Sequence, residues 1–410
     1  MATSLGRRFW FVWSATSFTN LGDGLTLVAF PLLAKTITDD ARLIALATVF
    51  RFLPFALFGL PAGLIIDRFD RLTLAKTAQW SRGLTITALT VAVYRDQQSI
   101  ALLSAAAFVV GTGEILTDGG LPAVVRDVVR PTQLEVANSR LSATQTVTNG
   151  FIGPPLGAML FQYNHAAPFL ASAVMFYATS LVLQLVPGNF KPTRSGVGTP
   201  SEPLGRQIMV GLRYVWDHEV LRPLALAVAL FSFVGQAGNA VHVVVITDHF
   251  GFSPSWFGFL LGATGVTSVI ASFFVAPLVA RSGHSASLRL SVVTFSAAAL
   301  MYGFGAGLPI AFGAALLHGI SDPTWNVISG TIRQRLVPDE IFGRMMTAYL
   351  FVAWGALPIG AAMGGVVAQQ FGAQWVFVIS GLCVGSLLIL GRPMFKTIDV
   401  SMDQSVTAAR

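Results

Sequence analysis

Charge is what this chain has least of. Asp, Glu, Lys and Arg make up 11% of its 410 residues, where a soluble domain carries about 25%. There is one cysteine, Cys383, so no internal disulfide can form. No G-x-x-x-x-G-K-[ST] phosphate loop occurs, which argues against ATP drive within the chain. The histidines, the cysteine and the acids form no cluster with metal-ligand spacing, so neither a metal nor a cofactor is expected. No catalytic constellation is legible, and the chain does not read as an enzyme.

What is abundant is apolar. Hydrophobic residues account for 54% of the chain and run along its whole length. Apolar windows and turn signals predict twelve membrane-spanning helices, over 9–34, 43–66, 73–94, 100–125, 135–161, 167–186, 223–247, 256–280, 286–306, 308–331, 344–368 and 374–391. Arg7 and Arg8 precede an apolar stretch too long for a signal peptide, so that stretch is read as the first span.

The net charge of +7 could signal nucleic-acid binding. Here the basic residues lie in loops between apolar segments, which points to membrane topology instead, with no nucleic-acid partner. With the N-terminus inside, only Lys35, Arg42, Arg51 and Arg95 of the 26 Lys and Arg fall in the outer half. That bias predicts cytoplasmic N- and C-termini. The compact form suits a bacterial cytoplasmic (inner) membrane, and a monomer is expected.

The expected organisation is a six-helix bundle over 1–186, a cytoplasmic linker over 187–222, a second six-helix bundle over 223–391 and a cytoplasmic tail over 392–410. The linker begins with a flexible stretch rich in Pro, Gly, Ser and Thr. Leu204, Ile208, Leu212, Val215 and Trp216 follow at helical spacing and predict an amphipathic helix on the inner membrane surface. The two halves repeat. Val129-Arg130-Pro131 recurs as Leu336-Val337-Pro338, an offset of 207 (338 less 131) that also maps Arg126 to Arg333, Gly153 to Gly360 and Gly157 to Gly364. A parallel repeat of this kind sets a substrate path between the halves.

An ionisable group inside a bilayer is costly and therefore a functional candidate. Asp23 lies about 21 Å into the first span at 1.5 Å per residue. Glu114 and Asp118 are four apart on one helix and share a face. Two carboxylates so placed do not both ionise easily, which suits proton exchange or attraction of a cationic substrate. Asp23, Glu114 and Asp118 are the principal candidates; each has a plainer reading as a hydrogen-bonded packing residue. Arg51 either snorkels outward or pairs with Asp23. His242, His318 and Asp322 are secondary candidates, His318 reading more readily as a packing histidine than as a proton relay.

Two motifs carry a family resemblance. Gly63-Leu-Ile-Ile-Asp67-Arg68-Phe-Asp70-Arg71 resembles the G-x-L-x-D-R-x-G-R-[RK] loop of the major facilitator superfamily, with Asp70 for the second Gly and Leu72 for the last basic residue. Gly150-Phe-Ile-Gly153-Pro154-Pro155-Leu-Gly157 looks like the exporter signature G-P-x-x-G-G, with Ala158 at the final Gly. Leu21-Gly22-Asp23-Gly24, Leu134-Glu-Val-Ala137-Asn138-Ser139 and Pro323-Thr-Trp-Asn326 add a likeness to the branch that holds the enterobactin exporter and macrolide efflux proteins.

The resemblance implies an all-α integral membrane fold of two pseudo-symmetric six-helix bundles, rocking about a central site and usually driven by the proton gradient. It implies efflux of a small lipophilic compound: a drug, a macrolide or a siderophore-like molecule. In the motif loop, with Gly63, Arg68 and Arg71, Asp67 reads as a gating residue that pairs with Arg126 at the end of the fourth span; the plainer reading is a helix cap beside a topogenic loop. An importer or facilitator of a nutrient or metabolite is the nearest alternative; a non-transporting membrane receptor is a third.

Overall fold

The computed structural model describes residues 5–59, 61–66, 68–188, 190–191 and 204–408. Asp67 and residues 192–203 of the linker lie outside the described residues, so the expected Asp67–Arg126 pair and the expected flexible stretch do too. The described chain is mainly helical, and most of each apolar window read from the sequence falls on helix among the described residues. By length and apolarity, seven helical stretches among the described residues could each cross a membrane.

The chain divides into two compact units, one of Met1–Ser195 with Ile246–Gly262, the other of Gly196–Val245 with Ala263–Arg410. In the first, α1 (Gly6–Ile37), α2 (Ala41–Phe58), α3 (Pro61–Ile66), α4 (Arg71–Tyr94) and α5 (Ile100–Val128) precede α6 (Leu134–Gln145), α7 (Gly153–Tyr163) and α8 (Ala167–Gln184). Side-chain caps set several starts. Ser99 accepts from the Leu102 amide ahead of α5 at 3.2 Å, and Asp70 accepts from the Thr73 amide ahead of α4 at 2.8 Å. Asp70 also accepts from the Phe190 amide at 2.9 Å. Burial pushes the Asp70 carboxyl up, but these amides prevail and hold it below its ordinary value. The Asp that departs from the loop motif therefore works as a helix cap.

A seven-residue π-helix, Thr146–Ile152, joins α6 to α7. Pro154 and Pro155 follow at once in the first turn of α7, where a missing N–H costs least. Gly153 and Gly157 sit where α7 crosses α1: a Cβ on Gly153 would lie 2.6 Å from the Cα of Gly24, and one on Gly157 2.9 Å from the Leu25 carbonyl. Gly150 has open space around it and takes no part in that crossing. On the other face of α7, a Cβ on Gly258 would lie 2.4 Å from that of Ala158. The glycine missing from the signature is thus supplied by the opposing helix.

In the second unit, α9 (Leu204–Asp217), α10 (Leu221–Val244), α11 (Ser255–Phe304), α12 (Leu308–Leu336), α13 (Asp339–Phe371), α14 (Ala373–Gly385), α15 (Leu387–Leu390) and α16 (Arg392–Ala408) follow; the first turns of α11 pack with the other unit. The 50-residue α11 is two helices that meet at Gly283, whose φ of 80° an L side chain resists. Gly360 and Gly364 on α13 abut Phe233 and Ala237 of α10, where a Cβ would come within 2.1 and 2.4 Å of the respective carbonyl oxygens. These are the positions the 207-residue offset pairs with Gly153 and Gly157.

The amphipathic linker helix is there, but part of its face meets protein. Val215 packs with Leu221, Val337 and Met345, and a Cβ on Gly211 would lie 2.2 Å from the Arg344 carbonyl of α13. Met209 and Trp216 remain exposed. The stretch read as a tail is the helix α16; its Phe395, Ile398 and Met402 belong to the core of the unit.

Candidate functional site

The first unit holds a chain of charges deep among its helices. Asp23 on α1 is 3% exposed. Its Oδ1 accepts a hydrogen bond from the Arg82 guanidinium of α4 and lies 3.5 Å from Nη2 of Arg51 on α2. The same Nη2 donates to Oε2 of Glu114 on α5 at 2.9 Å. Nη1 of Arg51 donates to the Thr26 hydroxyl at 3.3 Å. Of the two outcomes open for Arg51, the structure has the inward one.

Arg82 is the residue that sequence reasoning missed. It was counted with the basic residues of the inner loops, yet it is fully buried. Its guanidinium carbon lies 4.0 Å from the centroid of the Phe176 ring, a cation–π contact. Nη1 reaches Gln79 Oε1 at 3.5 Å, and Gln79 Nε2 donates to Thr19 at 2.5 Å and to Thr117 at 3.2 Å. The missed signal is depth. Arg82 is eleven residues into α4, about 16 Å along the axis, too far in for a loop charge.

Glycines make the room. A Cβ on Gly113 would fall 2.6 Å from the Arg82 side chain, and one on Gly111 2.1 Å from the Arg51 carbonyl. So α5 lies against α2 with no side chain between them at that point. One turn beyond Glu114, Asp118 is exposed and has no hydrogen bond or ion pair among the described residues.

The remaining predicted residues are elsewhere. Arg71 Nη1 is 3.9 Å from Asp127; Arg68 and Arg126 are exposed. In the second unit, His242 of α10 is buried between the rings of Tyr302 and Phe377, at centroid distances of 4.7 and 5.5 Å. The ring of His318 on α12 lies 5.5 Å from that of Phe295, centroid to centroid. Asp322 takes a long 3.4 Å bond from Asn326. Around them Phe231 stacks on Trp325 at 4.3 Å and meets Phe295 edge-on at 5.1 Å.

Apolar helices long enough to cross a membrane and a buried cluster of charges fit a multi-pass membrane transporter of the major facilitator type. The chain belongs to the transmembrane secretion effector family, whose pattern matches residues 5–406. It is 20% identical to macrolide efflux protein A of Streptococcus pyogenes over 95% of this chain and 96% of that one. It is 23% identical to the multidrug efflux pump Tap of Mycobacterium tuberculosis, over 94% of each chain. Among solved structures it is similar to a bacterial homologue of the iron transporter ferroportin in its inward-facing state. That match has a TM-score of 0.72 at 18% identity and covers 97% of this chain and 100% of that one.

Proposed function

We propose that this chain is a proton-coupled exporter of a small lipophilic compound, a drug, macrolide or siderophore-like molecule. It would cross a bacterial inner membrane twelve times, in two six-helix bundles over 1–186 and 223–391, with both termini cytoplasmic. It would act as a monomer by alternating access, with the proton gradient as its drive and no cofactor. The efflux names of its relatives support the direction and the substrate class.

One observation carries the coupling: Asp23 and Glu114 share two guanidinium groups, Arg51 and Arg82, and a third carboxylate, Asp118, stands one turn from Glu114 with no ion pair of its own among the described residues. With every acid ionised the cluster bears one uncompensated negative charge, which is costly at bilayer depth. A proton removes it, and Asp118, without a direct partner, is the acid free to take that proton. Protonation from outside would release the substrate; deprotonation to the inside would reset the cluster. Asp23, held by two arginines, is the fixed centre of the relay.

The test begins with a thermal-shift panel of lipophilic cations, macrolides, siderophores, sugars and amino acids, since any ligand of the folded state raises its melting temperature. A ligand found this way is then followed in proteoliposomes under an imposed pH gradient. Asp118→Asn is expected to lose gradient-driven transport yet keep substrate exchange at equal pH. A variant that still responds to the gradient like the parent would sink the coupling. Shifts by sugars or amino acids alone would favour a nutrient importer or facilitator instead.

A further inference from the structure

Away from the charge relay, the second unit has a cavity of about 480 Å³ between the start of α10 and the junction of α15 with α16. It forms because the chain bends at Gly391. Phe395 and Ile398 anchor α16 in the core of the unit, while Leu390, just before the bend, stays exposed. Leu226, Leu230, Leu387 and Leu390 line its body; Glu219 and Arg222 stand in its wall at the end where α10 begins.

Glu219 and Arg222 stand three residues apart at the start of α10. The Arg222 amide donates to the His218 carbonyl at 3.1 Å, so the chain is already helically wound there. Residues three apart on such a turn have side chains roughly 5–6 Å apart on one face. The cavity thus offers a cation and an anion side by side above apolar walls, within the size range of a small-ligand site. It also lies beside Arg392 and Lys396, where apolar helix gives way to basic chain.

We propose that this cavity is a binding site for one phospholipid whose headgroup carries both a phosphate and a primary ammonium, a phosphatidylethanolamine. The Arg222 guanidinium donates to the phosphate oxygens, for which its planar fork is suited. The Glu219 carboxylate accepts from the ammonium. An acyl chain runs along the four leucines. The carboxylate selects the headgroup: a trimethylammonium has no N–H to donate, and a glycerol headgroup carries no cation to pair with Glu219.

The experiment is native mass spectrometry of the full chain, purified in detergent, delipidated and titrated with dioleoyl phosphatidylethanolamine, phosphatidylcholine or phosphatidylglycerol. It needs neither substrate nor gradient, so it stands apart from the transport reading. The first lipid is expected to be retained as a single tight adduct, about tenfold more strongly than phosphatidylcholine, as one charged hydrogen bond implies. Glu219→Gln should erase that preference, and Arg222→Gln should weaken both zwitterionic lipids together. Both side chains are exposed, and an unchanged melting temperature checks that each variant folds. Equal retention of the two zwitterionic lipids by the parent would overturn the proposal. So would tighter retention of phosphatidylglycerol, or a preference that survives Glu219→Gln.

Discussion

The two units make the same helix crossing and line it differently. Gly153 and Gly157 bring α7 against α1; Gly360 and Gly364 bring α13 against α10. Beside the first crossing stand Asp23, Arg51, Arg82 and Glu114, tied by ion pairs. Beside the second stand Phe231, Phe295 and Trp325, ring against ring. A repeated backbone contact leaves the surrounding side chains free to diverge, because small residues alone fix how close two helices come. One unit therefore lines its crossing with charge, and the other lines its crossing with aromatic rings.

The largest effect that tests this contrast is Arg82→Met. It leaves buried Asp23 with Arg51 alone, 3.5 Å away and already paired with Glu114, and removing one partner of a buried pair costs about 3–5 kcal/mol. Thermal unfolding in detergent reads the loss. Adding Asp23→Asn should recover most of it, since the cost is the stranded charge and not the missing contact. If the double variant is as unstable as the single one, Arg82 acts by packing, and the units differ less than their chemistry implies. Next comes Gly111→Ala. Its methyl group would meet the Arg51 carbonyl, so α2 and α5 must part, at about 1–3 kcal/mol. In the aromatic unit, Trp325→Phe should cost roughly 1 kcal/mol by the same readout, because the replacement keeps an aromatic face for Phe231. A loss as large as that of Arg82→Met would erase the contrast.

The smallest effect lies at the membrane surface. His218 Nδ1 accepts from the Val220 and Leu221 amides at 3.1 and 3.3 Å, capping α10. Burial holds this histidine below its ordinary pKa, against the pull of Glu219. A folded-state pKa below the unfolded one gives stability that is complete above about pH 6.5 and fades as pH falls through the folded value. His218→Ala should cost about 1 kcal/mol at pH 7.5, as a lost cap does, and should flatten the decline of melting temperature between pH 7 and pH 5. A slope unchanged by the substitution assigns the decline to other groups.

Much of this was legible in the sequence. Apolar windows located helix throughout, and the 207-residue offset picked out the glycines of both crossings, since close approach leaves few alternatives to glycine. The acids were found because carboxylates in apolar runs stand out. Arg82 was not. Arginine in a chain of this kind is read first as a loop charge, and only its distance from the end of α4 separates it from one. The π-helix ahead of Pro154 left no signal, because one extra residue per turn is a matter of backbone hydrogen bonding, not composition. Gly391 did not announce its bend, since the apolar run continues up to it.

The order of the relay along the chain bears on how it is made. At span depth α1 contributes an acid and α2 a base; α4 contributes a base and α5 an acid, Glu114. A single ionised side chain at the centre of an inserting helix costs about 2.5–3.5 kcal/mol. Of successive helices, α1 with α2 brings one charge of either sign to that depth, and α4 with α5 sets Arg82 against Glu114 and is neutral when Asp118 is protonated. In the finished bundle the tightest partnerships run between the pairs: Arg82 holds Asp23, and Arg51 holds Glu114. Assembly of the unit is thus an exchange of counterions, in which two hairpins that could each enter the bilayer neutral trade partners as they dock.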